Sequence, residues 1–518
     1  MNDPLLELAQ ALGGDPVELK ETHISRVALA GPPGAGVVLK QCKPVDFGFV
    51  DLRTREQRRA ALEKEAAVND RFAPGVYRGV RDLPDGEPVL EMLRLNEADT
   101  LEAKVKRGAA TSADLDAVLD HLLPLFEVSD RGPEVAKWGA PAVIRQNVVE
   151  NLEALDATAA RLDKDLRADV LRGSQLIALS LLRPELERRA AGGWVQDGHG
   201  DLRAEHVYLA PEGVKTLDGI AFGDRLRCVD VADEIAFLAY SLDAAGWPDG
   251  AETLIRRYRA RSGDPVGEPL LALYRSYRAA VRAKVAALAL PPVPPSDAWL
   301  GLREQVERAF EPLEGRVPDH PILIAVGGLS GSGKSTLAAA VAAKLGVPHL
   351  RSDALRKAAF GLAPGEAAPP EAYASEVSAT VYAELGKNWL FDATSLGGAV
   401  ADATFLTRDR RAELIGWSQK LRPSRPPFLF VWCEVDDAVA ERRIERRAAE
   451  GEDASDADAE VRRRQTAQAE PPTDTEFAAL PNVALLRLDT DGPVETLVER
   501  VIDALRDRVR VAGPGGVP

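Results

Sequence analysis

Residues 328–335 read GLSGSGKS, which sets glycine, lysine and a hydroxyl at the spacing G-x-x-x-x-G-K-[ST]. Residues of these types handle phosphate. Glycines let backbone N–H groups close around a β-phosphate, Lys334 brings charge to the β- and γ-oxygens, and the Ser335 hydroxyl is a ligand for Mg2+. The flanks fit this chemistry, with ILIAV before the loop reading as a buried strand and an alanine-rich run after it as a helix. A plain Gly/Ser turn would need no lysine followed by serine. The expected nucleotide contacts are Gly328, Ser330, Gly331, Ser332, Gly333, Lys334, Ser335 and Thr336, with ATP and Mg2+ as ligands.

What such a loop does with ATP depends on the charges downstream. HLRSDALRK puts Asp353 and Arg356 just after a second short strand, where a carboxylate can accept a hydroxyl proton and an arginine can hold an anionic group. Ser352 and Asp353 also read as a helix cap, and one residue can do both. Two copies of DAT, at Asp392 and Asp402, compete for the end of the next strand, beside the metal. Helical spacing through Val381, Leu385, Asn388 and Phe391 assigns Asp392 to a helix and favours Asp402 as the metal carboxylate. Phe405, Arg408 and Arg411 are then candidates to line a substrate cleft, although solvated helix charges explain the arginines almost as well. PPFLFVWCEVDDAVAERRIERR reads as a strand followed by a helix carrying Arg442, Arg443, Arg446 and Arg447. That helix is either a phosphate-clamping lid, with EGEDASDADAEVRRRQ as a moving flap, or a solvated helix laced by Glu441 and Glu445.

A second phosphate-handling pattern lies far upstream, in HGDLRAEH. Protein-kinase-like chemistry needs an Asp to orient the accepting hydroxyl, a metal-holding residue five positions on, and a further Asp for Mg2+. Asp201, His206 and Asp218 take those positions. His206 stands where Asn is expected, and an imidazole nitrogen is a poorer partner for Mg2+ than an amide oxygen. Lys40, at the end of the strand-like GVVLK, is the expected phosphate-pairing lysine, with Lys43 as its competitor, and Glu65 lies on the following helix where it can pair with it. The turn GPPGAG, 31–36, reads either as a phosphate cover or as a plain hairpin turn. YRSYRAAVRAKVAAL spaces Tyr277, Arg278, Arg282 and Lys284 along a helix, as a cleft-closing face or a solvated basic one. His23, His121, His320 and His349 stand isolated, and no chemistry is assigned to them.

Two resemblances follow. From about Pro321 to Arg508 the loop, Asp353, Arg356, Asp402 and the arginine helix resemble small-molecule P-loop kinases of the gluconate kinase, polynucleotide 5′-kinase and zeta-toxin type. This implies Asp353 as base, the loop and Ser335 for MgATP, and Arg443 or Arg447 as lid groups. HGDL with LDGIAF resembles the aminoglycoside phosphotransferase-like fold. Together with THISRV, KPVDFGFVDLRT, FAPGVYRGV and YRAAVRAKVAAL, it is similar to an uncharacterised bacterial family that fuses such a domain to a P-loop kinase domain. The resemblance implies ATP binding and phosphotransfer to an acceptor it does not identify.

The elements that must position these residues need two cores, since 518 residues exceed what one core usually serves. Four prolines in ALPPVPPSD mark the expected boundary. The expected organisation is an α+β protein-kinase-like domain over 1–288, a linker at 289–297, an α/β P-loop domain with a parallel sheet over 298–511, and a disordered tail at 512–518. Net charge of −16 argues against holding nucleic acid or an anionic membrane by bulk electrostatics. Three scattered cysteines and no long apolar run point to a soluble, cytoplasmic protein. The leading expectation is transfer of the ATP γ-phosphate to a small-metabolite hydroxyl by the P-loop domain. Two alternatives stay open: a catalytic first domain acting on an aminoglycoside- or sugar-type acceptor beside a regulatory P-loop, and a pseudokinase joined to an ATP-hydrolysing switch.

Overall fold

The computed structural model describes residues 3–511, apart from 23, 47–50, 292–293, 296, 315–320, 364–365, 421–426, 451–457, 478–479 and 481, and gives backbone alone at 169, 395–396, 447–450 and 506–511. The chain forms two compact units, Met1–Ile144 with Glu185–Ala279, and Arg145–Pro184 with Ala280–Pro518. Residues 145–184 thus group with the later part of the chain, which a single cut at 289–297 does not anticipate. The tail at 512–518 lies outside the described residues.

In the first unit, β1 (Val17–Glu21), β2 (Ser25–Ala30), β3 (Val37–Cys42), β4 (Tyr77–Asp82) and β5 (Pro88–Leu93) form an antiparallel sheet in the order β1-β2-β3-β5-β4. Alternation along β3 puts Val37 and Leu39 into one core with Ala28, Ala30 and Val89. The helix Arg55–Asp70, opened by a capping box of Thr54 and Gln57, brings Leu62 into a second core with Cys42 and Leu90. Lys40 shares the parity of Cys42 and therefore faces this helix. Residues 31–36 connect β2 to β3. Further along, β6 (Val195–Asp197) pairs with β9 (Cys228–Asp230), while β7 (Val207–Ala210) and β8 (Gly213–Thr216) form a hairpin.

The second unit holds β10 (Ile322–Gly328), β11 (His349–Arg351), β12 (Gly398–Asp402), β13 (Phe428–Glu434) and β14 (Val483–Asp489), all parallel, in the order β11-β12-β10-β13-β14. This is the P-loop NTPase fold with the expected parallel sheet. β10 is buried along its whole length, as a strand covered on both faces must be. On one face Ile324, Val326, Val400 and Val431 pack with the helices Lys334–Leu345 and Val494–Val511, and Ile177 joins them. On the other, Leu385 and Trp389 of helix Ser375–Leu396 meet Leu323, Ala399 and Phe430. Trp389 Nε1 lies 3.0 Å from both the Ile324 and Ala399 carbonyls, so its one buried donor is satisfied. No described helix is long and apolar enough to cross a membrane.

Buried charges knit the first unit's helical part together. Arg189 bridges Asp230 and Asp264, with bonds of 2.6 Å to each. Arg278, read from the sequence as part of an exposed or cleft-closing face, is 4% exposed and does neither. It makes a bidentate pair with Asp233 and donates to the Gly200 carbonyl at 2.9 Å. Glu234 Oε1 accepts the N–H groups of His199 and Gly200 at 2.6 and 2.7 Å, so the loop bearing Asp201 is held from both sides. Burial pushes the Glu234 carboxyl up to about 7, against the opposing pull of Arg278. The folded chain therefore holds a proton there that the unfolded chain releases near 4.5, and this contribution to stability is lost as pH rises from about 4.5 through 7. Glu234→Gln should remove that loss. In denaturant titrations the variant should gain about 1–3 kcal/mol on wild type between pH 4.5 and 7.5; a constant difference would contradict the assignment.

Candidate functional site

The loop at the end of β10 is shaped by its glycines. Gly328 has φ 144°, and a Cβ there would sit 2.6 Å from the Cys433 carbonyl oxygen, so no side chain fits. Gly333, with φ 78°, caps the helix Lys334–Leu345. From behind, the loop is gripped: Thr490 Oγ1 donates to the Ser332 carbonyl at 2.7 Å, Arg462 donates to the Ser330 carbonyl, and the Ser330 N–H donates to Gln465 Oε1 at 2.9 Å. By contrast, the N–H groups of Gly331, Gly333, Lys334, Ser335 and Thr336 meet no protein acceptor among the described residues. They open on a cleft of about 910 Å³ whose lining includes Lys334, Ser335, His349, Arg351, Arg443 and Arg446. A rim of arginines, the lysine and a helix N-terminus makes this cleft a place for polyanions despite the chain's net negative charge.

The neighbouring strands deliver the carboxylates. Asp402 ends β12 level with Val326 of β10 and Arg351 of β11, whereas Asp392 lies in the helix Ser375–Leu396. Asp402 is 2% exposed. Its Oδ2 is 3.1 Å from His349 Nε2 and 3.7 Å from Arg351 Nε, while among the described residues Oδ1 has no partner, and neither does the buried Ser332 Oγ. Ser335 and the free Asp402 oxygen are the hard oxygen donors that Mg2+ takes, so these residues fit that ion.

Asp353 stands in the first turn of helix Ser352–Ala359, half-buried. Arg356, expected beside it as an open substrate clamp, is 6% exposed. Its Nη1 donates to the Ala372 carbonyl at 2.6 Å and to Ser378 Oγ at 3.2 Å, and its buried Nε meets no acceptor among the described residues. Two cleft candidates do not line a cleft. Phe405 is fully buried in the core, and Arg411, 1% exposed, pairs with Glu476 and donates to the Phe405 carbonyl, because a buried guanidinium needs such partners. Arg408 is exposed at the start of its helix. Arg443, in helix Asp437–Glu450, donates to Thr490; the Arg447 side chain and part of the expected flap, 451–457, lie outside the described residues.

Sequence reasoning missed His349, Arg351, Arg462, Gln465 and Thr490. Thr490 carried a signal, since DTDG follows the strand VALLRLD, but the others act only through partners distant in sequence.

In the first unit Lys40 Nζ reaches Glu65 at 2.7 and 2.9 Å. Burial opposes its charge, but Glu65 and Asp218 outweigh burial and hold its pKa above the usual lysine value. Lys43 is engaged elsewhere, with Glu21 and the Thr22 carbonyl. One ligand atom each of Asp201, His206 and Asp218 falls within 4.8 Å of the others. Arg203 forks onto both Asp201 oxygens at 2.9 Å and touches His206 Nε2 at 3.0 Å. Burial raises the Asp201 carboxyl and Arg203 more than reverses it, so its pKa is lowered. With both oxygens engaged and an imidazole in the set, this cluster suits Mg2+ less well than Ser335 with Asp402. The turn 31–36 is the β2–β3 connection, with Gly31 and Gly34 at positive φ. His121 meets Thr216 Oγ1 at 3.1 Å.

The uncharacterized protein Rv2004c of Mycobacterium tuberculosis is 32% identical over 349 residues, 66% of this chain and 68% of that protein. The chain belongs to its family. A Mycobacterium bovis protein, also uncharacterized, matches to the same extent. Residues 323–472 match a family model described as an AAA domain, in accord with the P-loop fold. Among solved structures, a gluconokinase from Sinorhizobium meliloti 1021 is 20% identical, covering 37% of this chain and 94% of its own, with a TM-score of 0.27. The APS kinase CysC of Mycobacterium tuberculosis is 21% identical, covering 36% of this chain and 99% of its own, also with a TM-score of 0.27.

If the bare loop is what the site requires, Gly328→Ala should abolish ADP binding by calorimetry and cost about 1–3 kcal/mol of stability. Gly416→Ala, where a Cβ meets nothing within 4 Å, should leave binding intact. Binding that survives Gly328→Ala would contradict the geometry.

Proposed function

We propose that the second unit is a small-molecule kinase that transfers the γ-phosphate of MgATP to a hydroxyl of a small metabolite. The observation that carries this reading is the parallel register. β10, β12 and β11 are adjacent, and the residues that end or follow them, Gly328, Asp402 and Asp353, come to one edge of the sheet. Open sheets of this kind bind ligands at that carboxyl edge. There the loop's free N–H groups and Lys334 hold the phosphates, Ser335 and Asp402 hold Mg2+, and Asp353 takes the acceptor's proton, while Arg356 ties the helix that carries Asp353 to Ala372 and Ser378. When bound, the ion neutralises charge on the transferring phosphoryl group. Arg443, tied to Thr490 at the cleft rim, is the lid cation of this reading. Catalysis of phosphoryl transfer is chiefly positioning and charge stabilisation, and the cleft supplies both.

A second reading concerns the first unit, as an aminoglycoside phosphotransferase-like nucleotide site. The Lys40–Glu65 pair beside Asp218 favours it. Arg203 on Asp201 favours binding there over transfer, since the carboxylate that would accept a proton is already neutralised. The chain is then two kinase-type domains joined, working in the cytoplasm, where its three buried free cysteines stay reduced.

With γ-labelled ATP and a small-metabolite extract, Lys334→Ala should cut the labelled product at least about 100-fold, and Asp201→Ala should leave it near wild type. Loss in Asp201→Ala alone would move the chemistry to the first unit, and ATP hydrolysis without labelled product would make the second unit a nucleotide switch.

A further inference from the structure

Asp402 carries two oxygens in unequal surroundings. Oδ2 faces His349 Nε2 at 3.1 Å and Arg351 Nε at 3.7 Å, and Oδ1 faces no donor among the described residues, although the residue is 2% exposed. Leaving a buried acceptor unpaired is costly, the more so when the group is charged, so the arrangement makes sense when a ligand completes it. The neighbourhood restricts which oxygen is left. A carboxylate only accepts, so the His349 Nε2 must carry the hydrogen. Arg351 pairs with Asp402 in the β11–β12 register, and His349, two residues earlier, shares its face. Both side chains also line the cleft in front of Lys334 and Ser335.

We propose that His349 is a positioning residue for the divalent cation. By donating to Asp402 Oδ2 it fixes the carboxylate and leaves Oδ1 for the ion that arrives with the nucleotide at Ser335. His349 itself touches neither ion nor phosphate. The inference rests on the reading of Ser335 and Asp402 as the Mg2+ site, and adds that the cleft's preference for metal-loaded nucleotide is set from β11. Hydrogen-bond partners of metal ligands commonly govern metal affinity by about 10–100-fold when removed. A histidine that merely satisfied a buried charge would act differently. Arg351 would still face Asp402 in its absence, and any damage would weaken nucleotide binding with and without metal alike.

The test uses the full chain and ADP, with binding measured by calorimetry in EDTA and in Mg2+. Wild type should bind ADP more tightly with the metal. His349→Ala should lose about 10–100-fold of the metal-loaded affinity and keep the affinity in EDTA. His349→Gln, which retains a donor, should restore most of the loss. If His349→Ala does not fold, His349→Asn, whose shorter amide cannot hold Oδ2 in the same place, should show the same selective loss. An unchanged Mg2+ response in these variants, or an equal loss in EDTA, would overturn the proposal. Lys334→Ala serves as the separate control: if it binds ADP like wild type in both conditions, nucleotide is not held at the loop and the underlying reading fails, whatever His349 does.

Discussion

A loop that binds phosphate with its backbone must keep its N–H groups free of protein acceptors and yet not collapse. The second unit meets this constraint by holding the loop through its other polar groups. Thr490 and Arg462 take the Ser332 and Ser330 carbonyls, Gln465 takes the Ser330 N–H, and the Gly328 and Ser332 N–H groups go to the Thr404 and Leu329 carbonyls, which leaves those of Gly331 and 333–336 for a ligand. Thr490, Arg462 and Gln465 come from two segments more than a hundred positions downstream, so the site depends on the sheet that brings β14 and the helix Ala459–Gln468 back to β10. The parallel register then sets Asp402 and Asp353 at the same edge. Sheet, loop grip and carboxylates form one dependency.

Most buried charge in both units is paired. In the first, Arg189 sits between two carboxylates, Arg278 between Asp233 and a loop carbonyl, and Arg203 on Asp201; in the second, Arg411 sits on Glu476. Such pairing fixes geometry and is costly to break from one side. In the second, Asp402 Oδ1 and Ser332 Oγ are left without partners beside the cleft. Unfilled hydrogen-bonding capacity at a buried site is what a binding centre needs, and saturated capacity is what a scaffold needs.

How much of this was legible in the sequence follows from how local each signal is. The loop GLSGSGKS and its flanks are contiguous, so strand, turn and helix could all be read. Asp402 was separable from Asp392 because helical spacing runs through one and stops before the other. Lys40 and Glu65 were paired correctly from a strand followed by a helix. Apart from Phe405, a cleft candidate that lies in the core, the side chains misread were arginines. Arg278, Arg356 and Arg411 look alike in sequence whether solvated, catalytic or buried against a carboxylate, and only distant partners such as Asp233, Ala372 and Glu476 decide. The grouping of 145–184 with the second unit was invisible for the same reason: helical periodicity reports which face is apolar, not what covers it. His349 was set aside as isolated because its partner is 53 residues away.

In the proposed kinase, nucleotide is held by the 328–336 backbone with Asp402 at its side. Hydrogen exchange of those amides, followed by mass spectrometry with and without MgADP, reads this contact. Strong protection of 328–336 is expected, absent in Lys334→Ala. Exchange there that is indifferent to MgADP, with protection confined to the first unit around Lys40 and Asp218, would contradict it.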